Sequence, residues 1–304
     1  MKRTMVSKVR AYLAFRRGLG FRLRSEGCQL MHFARYADRR GHCGPLTRQL
    51  ATSWACSPKS APRFSWARRL EVVRPFARYL LLTEPRTQIP PAHLFGPAHR
   101  RPEPHLYSPA QIQQLIQRAG RLRGKLRPHT WQTLIGLLAC TGLRISEARQ
   151  LKLTDIDWRQ CVLIIRESKH GRTRWVPLHP TAMAALRAYE RRRRTLFPLA
   201  EYFFVSSAGT QLRPSIVGET FRHLRQGIRF HGHPPRLHDL RHTLASRVLE
   251  RWQKHRRNDL NHVLILSRFL GHSEMRHTYW YLSALPQLMK EAAERFIPHV
   301  RKDQ

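Results

Sequence analysis

Thr141-Gly-Leu-Arg-Ile-Ser-Glu147 closes a mostly apolar stretch, Thr130 to Cys140, and turns polar within a few residues. The apolar spacing predicts a buried helix, and Gly142 permits a sharp turn at its end. Arg144 and Glu147 are thereby expected at a helix junction. Downstream, Cys161-Val-Leu-Ile-Ile165 predicts a short strand, and Thr173-Arg-Trp-Val-Pro177 reads as its partner. The two join through Lys169-His-Gly171, with Lys169 at the tip of the proposed hairpin. Pro180 to Thr195 predicts a helix ending in the run Arg191 to Arg194, and Phe203-Phe-Val-Ser206 a further short strand. Helical spacing dominates from there to Phe296. Upstream, Ser108-Pro109 is a helix start, with Ser as N-cap and Pro in the first turn of a helix running from Ala110 to Leu122.

Residues 88–107, rich in proline and without helical periodicity, are expected to form an extended linker. The segment before it shows apolar residues at spacings of three and four in Val6 to Leu19, Cys28 to Tyr36 and Phe64 to Leu82. Expected is a mostly α protein with a small β-sheet. A helical unit spans 1–87, a linker 88–107 and an α/β-hairpin unit 108–304. The opposite faces of the first helices are rich in Arg, which favours a DNA-facing surface.

The chain of 304 residues carries a formal net charge of +37. A protein this basic repels itself unless it meets a polyanion, and nucleic acid is the expected partner, ahead of an anionic membrane surface. With 41% apolar residues it has material for a core and is not a disordered basic tail. No apolar run approaches the ~18 residues that span a bilayer, and no signal peptide is evident. Cys28, Cys43, Cys56, Cys140 and Cys161 include no C-x-x-C pair, so free thiols in a reducing cytoplasm are expected. No G-x-x-x-x-G-K-[ST] phosphate loop occurs.

Two further segments carry chemistry-bearing residues. His238-Asp-Leu-Arg-His242 opens a helix, with His238 and Arg241 on one face. Leu270-Gly-His272 begins a segment that ends in Thr278-Tyr-Trp-Tyr281, and Tyr281 stands nine residues beyond His272. Together, in order, spacing and flanking residues, the four segments resemble the tyrosine recombinase (phage integrase) family. That family has an Arg in a T-G-[LM]-R-x-[ST]-E setting, a hairpin Lys, an H-x-x-R pair, a G-H and a following Tyr. The resemblance runs from about Ser108 to Phe296. By position, the Arg-rich first segment corresponds to the family's core-binding domain.

The resemblance implies a catalytic set of Arg144, Lys169, His238, Arg241, His272 and Tyr281, with Glu147 orienting Arg144 or His238 from behind. The chemistry suits phosphodiester transesterification. Arg144 and Arg241 offer fixed donors to two non-bridging oxygens, and His272 adds a third. Tyr281 is the nucleophile of a 3′-phosphotyrosyl intermediate. His238 is the candidate base, and Lys169 the candidate acid for the leaving 5′-oxygen. The intermediate conserves bond energy, so no cofactor and no metal is called for. His238 and His242 also lie at zinc-helix spacing, but the intervening cation Arg241 and the lack of an evident third ligand argue against it. Implied partners are double-stranded DNA and a homotetramer, or a hetero-tetramer with a related recombinase, on two DNA sites, in the cytoplasm at the nucleoid and without a membrane. A helix from Leu285 to Phe296 is expected to dock into a neighbouring subunit. Alternatives are a type IB topoisomerase-like nicking-resealing enzyme and a non-catalytic DNA-binding protein of the same fold. Two departures stand out: a longer stretch around 252–261, and His277 where the family often has Thr.

Overall fold

The computed structural model describes residues 4–99, 103–166, 173–230, 232, 234–254, 260–271, 274 and 278. The chain divides into two compact units, Met1–Pro102 and Glu103–Gln304.

The first unit is helical: α1 Met5–Gly18, α2 Arg24–Arg39, α3 Arg48–Ala55 and α4 Arg63–Leu81. Their apolar stripes meet in one core of Val9, Leu30, Phe33, Trp54, Leu70, Val73 and Phe76. The start of α1 is fixed by Asp38, whose carboxylate accepts the backbone N–H groups of Met5 and Val6 at 2.8 and 3.1 Å. Helix α4 runs on through Pro75, because its buried face continues on both sides of the missing backbone donor. The periodicity reading did not include α3. It has only 8 residues, begun by an N-cap hydrogen bond from the Leu50 N–H to the Thr47 hydroxyl. From the proline-rich stretch, Ile89 and Phe95 pack on this core, whereas Tyr107 is buried in the core of the second unit.

The second unit, mostly helical with a small sheet, is built around α6, Arg127–Thr141. Trp131, Leu134, Ile135 and Leu138 of α6 are all buried. Helix α5, Pro109–Gly120, starts at Ser108 with a full capping box to Gln111. A short α7, Ile145–Gln150, leads through a single 3-10 turn into β1 Ile156–Asp157, β2 Val162–Ile165 and β3 Arg174–Pro177. The strands form an antiparallel sheet in that order, with Ile156 opposite Leu163 and Leu163 opposite Val176, the core-facing line. Then follow α8 Pro180–Leu196, α9 Pro214–Leu224, α10 His238–Lys254 and α11 Leu260–Leu270.

The sheet's remaining strand, β1, was not expected, and the short strand expected at Phe203–Ser206 does not form. Phe203 and Phe204 are fully buried, but around them the backbone forms only isolated bridges, Lys152 to Tyr202 and Val205 to Gln211. The apolar pair fills the core from a loop, tied by the Phe203 N–H to the Leu151 carbonyl at 2.7 Å.

Candidate active site

Helix α6 ends at Gly142, which takes φ +61° and donates its N–H to the Leu138 carbonyl at 3.0 Å. Space imposes a second demand there. A Cβ on Gly142 would lie 2.9 Å from Leu270 Cδ2 and 3.0 Å from Leu244 Cδ2, so α10 and α11 press on the turn itself. The chain then turns at once into α7 with Arg144 as N-cap.

Glu147, in the first turn of α7, is buried and makes four hydrogen bonds. Its Oε2 accepts the Arg144 backbone N–H at 2.9 Å, and its Oε1 accepts Arg144 Nη1 at 2.8 Å. Arg174, the first residue of β3, completes the set, donating Nη1 to Oε1 at 3.0 Å and Nη2 to Oε2 at 2.7 Å. Burial alone would push this carboxyl up. The hydrogen bonds and charges of Arg174 and Arg144 outweigh it and hold the carboxyl below the usual range.

The end of α11 is the second organising feature. Its last carbonyls face three guanidinium groups. Arg174 Nε donates to the Phe269 oxygen at 3.1 Å, Arg241 Nη2 to the Leu270 oxygen at 2.7 Å, and Arg144 Nη2 to the Gly271 oxygen at 3.1 Å. Arg241 also donates Nη1 to the Gly142 carbonyl at 2.8 Å, so it bridges the ends of α6 and α11. Each helix end presents partial negative charge, which suits cations there. Three arginines from distant parts of the sequence thus meet over three consecutive backbone carbonyls.

His238 begins α10 one turn before Arg241. Its ring meets that of His242 edge-on, 4.8 Å between centroids. Asp239, between them and buried, accepts the Arg236 backbone N–H at 2.7 Å and Arg236 Nη2 at 2.8 Å, which fixes the start of the helix. Burial, then the charge of Arg241, lowers the His238 value to about 4, only partly offset by Asp239. Burial, then His238, lowers His242 to about 4 as well. Both rings are therefore neutral at pH 7.

That shift has a consequence for stability. The unfolded chain takes up protons near the ordinary value of 6.5 and the folded chain only near 4, so the stabilising contribution is full above 6.5 and is lost as pH falls toward 4. Denaturant titrations are expected to show a loss of about 1–2 kcal/mol between pH 7 and pH 5, and a flatter profile for His242→Asn. The loss is carried mainly by His242, whose side chain is 13% exposed, because water screens the exposed ring of His238. A wild-type profile that is flat over this interval contradicts the assignment.

Of the expected catalytic residues, the structure brings Arg144, Arg241 and the supporting Glu147 to the end of α11, with His238 beside Arg241. Lys169, His272 and Tyr281 lie outside the described residues, as do the expected helix from Leu285 to Phe296, His277 and residues 255–259 of the segment 252–261. Arg174 was not singled out in the sequence. The one signal for it was indirect: Glu147, a carboxylate in an apolar setting, requires a cationic partner besides Arg144. Among the described residues, no group of three or more His, Cys, Asp or Glu is placed to hold a metal ion, and no helix is long and apolar enough to cross a membrane.

A helical unit with a three-stranded antiparallel sheet and this arginine cluster defines a class, the tyrosine recombinases and integrases. Residues 107–287 match the phage integrase family, and the chain belongs to it. Its relatives include a Sinorhizobium fredii protein named as an integrase/recombinase, y4rB, 41% identical over 304 residues and covering 96% of each chain. Among solved structures, the Tn1549 transposon integrase in complex with transposon right end DNA covers 97% of this chain and 100% of that one, with a TM-score of 0.69 and 17% identity. A lambda integrase tetramer bound to a Holliday junction covers 92% of this chain and 77% of that one, with a TM-score of 0.64 and 16% identity. These likenesses extend the family assignment to the fold. Family and fold support site-specific recombination.

Proposed function

We propose that this chain cleaves and rejoins DNA strands through a 3′-phosphotyrosyl intermediate, exchanging strands between two sites of a mobile element. The observation that carries the reading is that Arg144 and Arg241, distant in sequence, donate to the consecutive carbonyls of Gly271 and Leu270. Two cations held side by side are what a phosphodiester needs as its non-bridging oxygens gain charge. The roles follow. Arg144 and Arg241 clamp the scissile phosphate, and His272 adds a donor. His238, held neutral, accepts the proton of the attacking phenol. Tyr281 attacks phosphorus, the 5′-oxygen leaves, and Lys169 protonates it. Religation by a 5′-hydroxyl from a second site reverses these steps and needs no external energy source. DNA is the substrate, and four subunits on two sites form the working assembly; the lambda integrase tetramer bound to a Holliday junction supports the number of subunits. The Arg-rich helical segment 1–87, within the first unit, supplies further contacts to the phosphate backbone.

The test is covalent trapping on nicked duplexes tiled across the DNA flanking the native gene. The wild-type chain is expected to leave an adduct resistant to SDS, and Tyr281→Phe to bind the same duplex without one. An adduct that survives in the Phe variant moves the nucleophile, with Tyr279 next to be tested. Specific binding without any adduct overturns the catalytic reading. Relaxation of plasmid without recombinant product replaces strand exchange with nicking and resealing.

A further inference from the structure

We infer that Arg174 is a positioning residue for the phosphate clamp: it occupies Glu147 so that Glu147 steers Arg144 without neutralising it, and Gly271 is the seat that lets it do so. The inference rests on the reading of Arg144 as a clamp residue.

The geometry is specific. Arg174 approaches Glu147 as a two-pronged donor, one N–H to each oxygen, at 3.0 and 2.7 Å. Each oxygen is left with one other partner: Arg144 Nη1 on Oε1 and the Arg144 backbone N–H on Oε2. Arg144 is therefore held through a single side-chain nitrogen. Its second terminal nitrogen is directed to the Gly271 carbonyl, and its side chain keeps 25% exposure, against 11% for Arg174 and 6% for Glu147. The most accessible of the three charged groups is thus the clamp residue. Remove Arg174, and an unshared carboxylate faces Arg144 alone. The stable arrangement is then a two-pronged Glu147–Arg144 pair, which turns the guanidinium toward the protein and cancels its charge.

Gly271 supports the same assignment independently. It takes φ +71°, and a Cβ there would lie 2.6 Å from Arg174 Nη1 and 2.8 Å from its Cζ. The guanidinium packs against the backbone at the end of α11, with Nε donating to the Phe269 oxygen. Glycine before His272 makes room for Arg174.

The experiment measures single-turnover adduct formation and DNA affinity separately, on the duplex that traps the wild-type chain. Arg174→Met is expected to slow adduct formation about 100-fold, as misplacement of a catalytic group does, with affinity within about threefold because many phosphate contacts share it. The decisive arm is the double variant, Arg174→Met with Glu147→Gln. If an unshared carboxylate quenches Arg144, removing its charge restores at least about tenfold of the lost rate. A residue with a purely structural role gives the opposite, a double variant slower than the single. Gly271→Ala is expected to act in the same direction as Arg174→Met, and it carries the test together with Arg174→Lys should the Met variant not fold. Wild-type rates in Arg174→Met, a loss of affinity that matches the loss of rate, or a double variant no faster than the single overturns the inference. Arg144→Ala in the same assay separates the two levels. If it too reacts at the wild-type rate, the clamp reading fails; if it is dead while Arg174→Met is normal, only the present inference fails.

Discussion

Glu147→Ala is expected to cost the second unit about 3–5 kcal/mol, since removing one partner of a buried ion cluster leaves the others uncompensated. Two guanidinium groups and the Arg144 backbone N–H lose their shared acceptor together. Water reaches Arg144 more readily than Arg174, so the lower end of the range is expected. For a unit of this size that is a drop of roughly 6–12 °C in a thermal melt. Glu147→Gln, which keeps an oxygen and the side-chain shape, is expected to lose less. A fall below about 1 kcal/mol in Glu147→Ala means that solvent replaces the carboxylate and that the cluster is not held by it.

The second large effect is expected at Gly142. Alanine there meets two costs at once: a left-handed backbone conformation, about 1–2 kcal/mol for a residue with a Cβ, and overlap with Leu270 and Leu244, about 1–3 kcal/mol. The sum, about 2–5 kcal/mol, is expected to be accompanied by lost cleavage, because the carbonyl of Gly142 holds Arg241. Gly136 supplies the contrast within the same helix. It has ordinary helical geometry, and a Cβ there meets nothing within 4 Å, so Gly136→Ala is expected to be neutral or to stabilise by up to about 1 kcal/mol. Denaturant titration of the two variants side by side checks the argument, and equal stabilities contradict it.

Much of this architecture was legible from local patterns. The amphipathic spacing located α1, α2 and α4, the Ser108-Pro109 pair marked the start of α5, and Gly142 marked the end of α6. What escaped was short or non-local. Strand β1 is two residues long and has no period to detect. Phe203 and Phe204 carry a strand's composition because they are buried, but the partner that decides their conformation is the Leu151 carbonyl, more than fifty residues away in sequence. Arg174 is one arginine among many, and its contact with Glu147 joins a strand to a helix across 27 residues. The motif residues Arg144, His238 and Arg241 were found as a pattern; how the two arginines tolerate one another at close quarters required the carbonyls at the end of α11, which no side-chain pattern reveals.

Those carbonyls also set an order of events during synthesis. Arg144 is made 127 residues before the carbonyl it grips, and Arg241 29 residues before its own. Until Gly271 has left the ribosome, Arg144 and Arg241 lack the neighbouring carbonyls that hold them side by side. On the proposed function, a nascent or partly folded copy can therefore adhere to DNA through its charge without assembling the constellation proposed to break a strand. On the same reading, α11 must emerge before the two clamp arginines can be set side by side. His272 and Tyr281 follow it in the chain, so the order of the sequence itself withholds strand cleavage from unfinished protein.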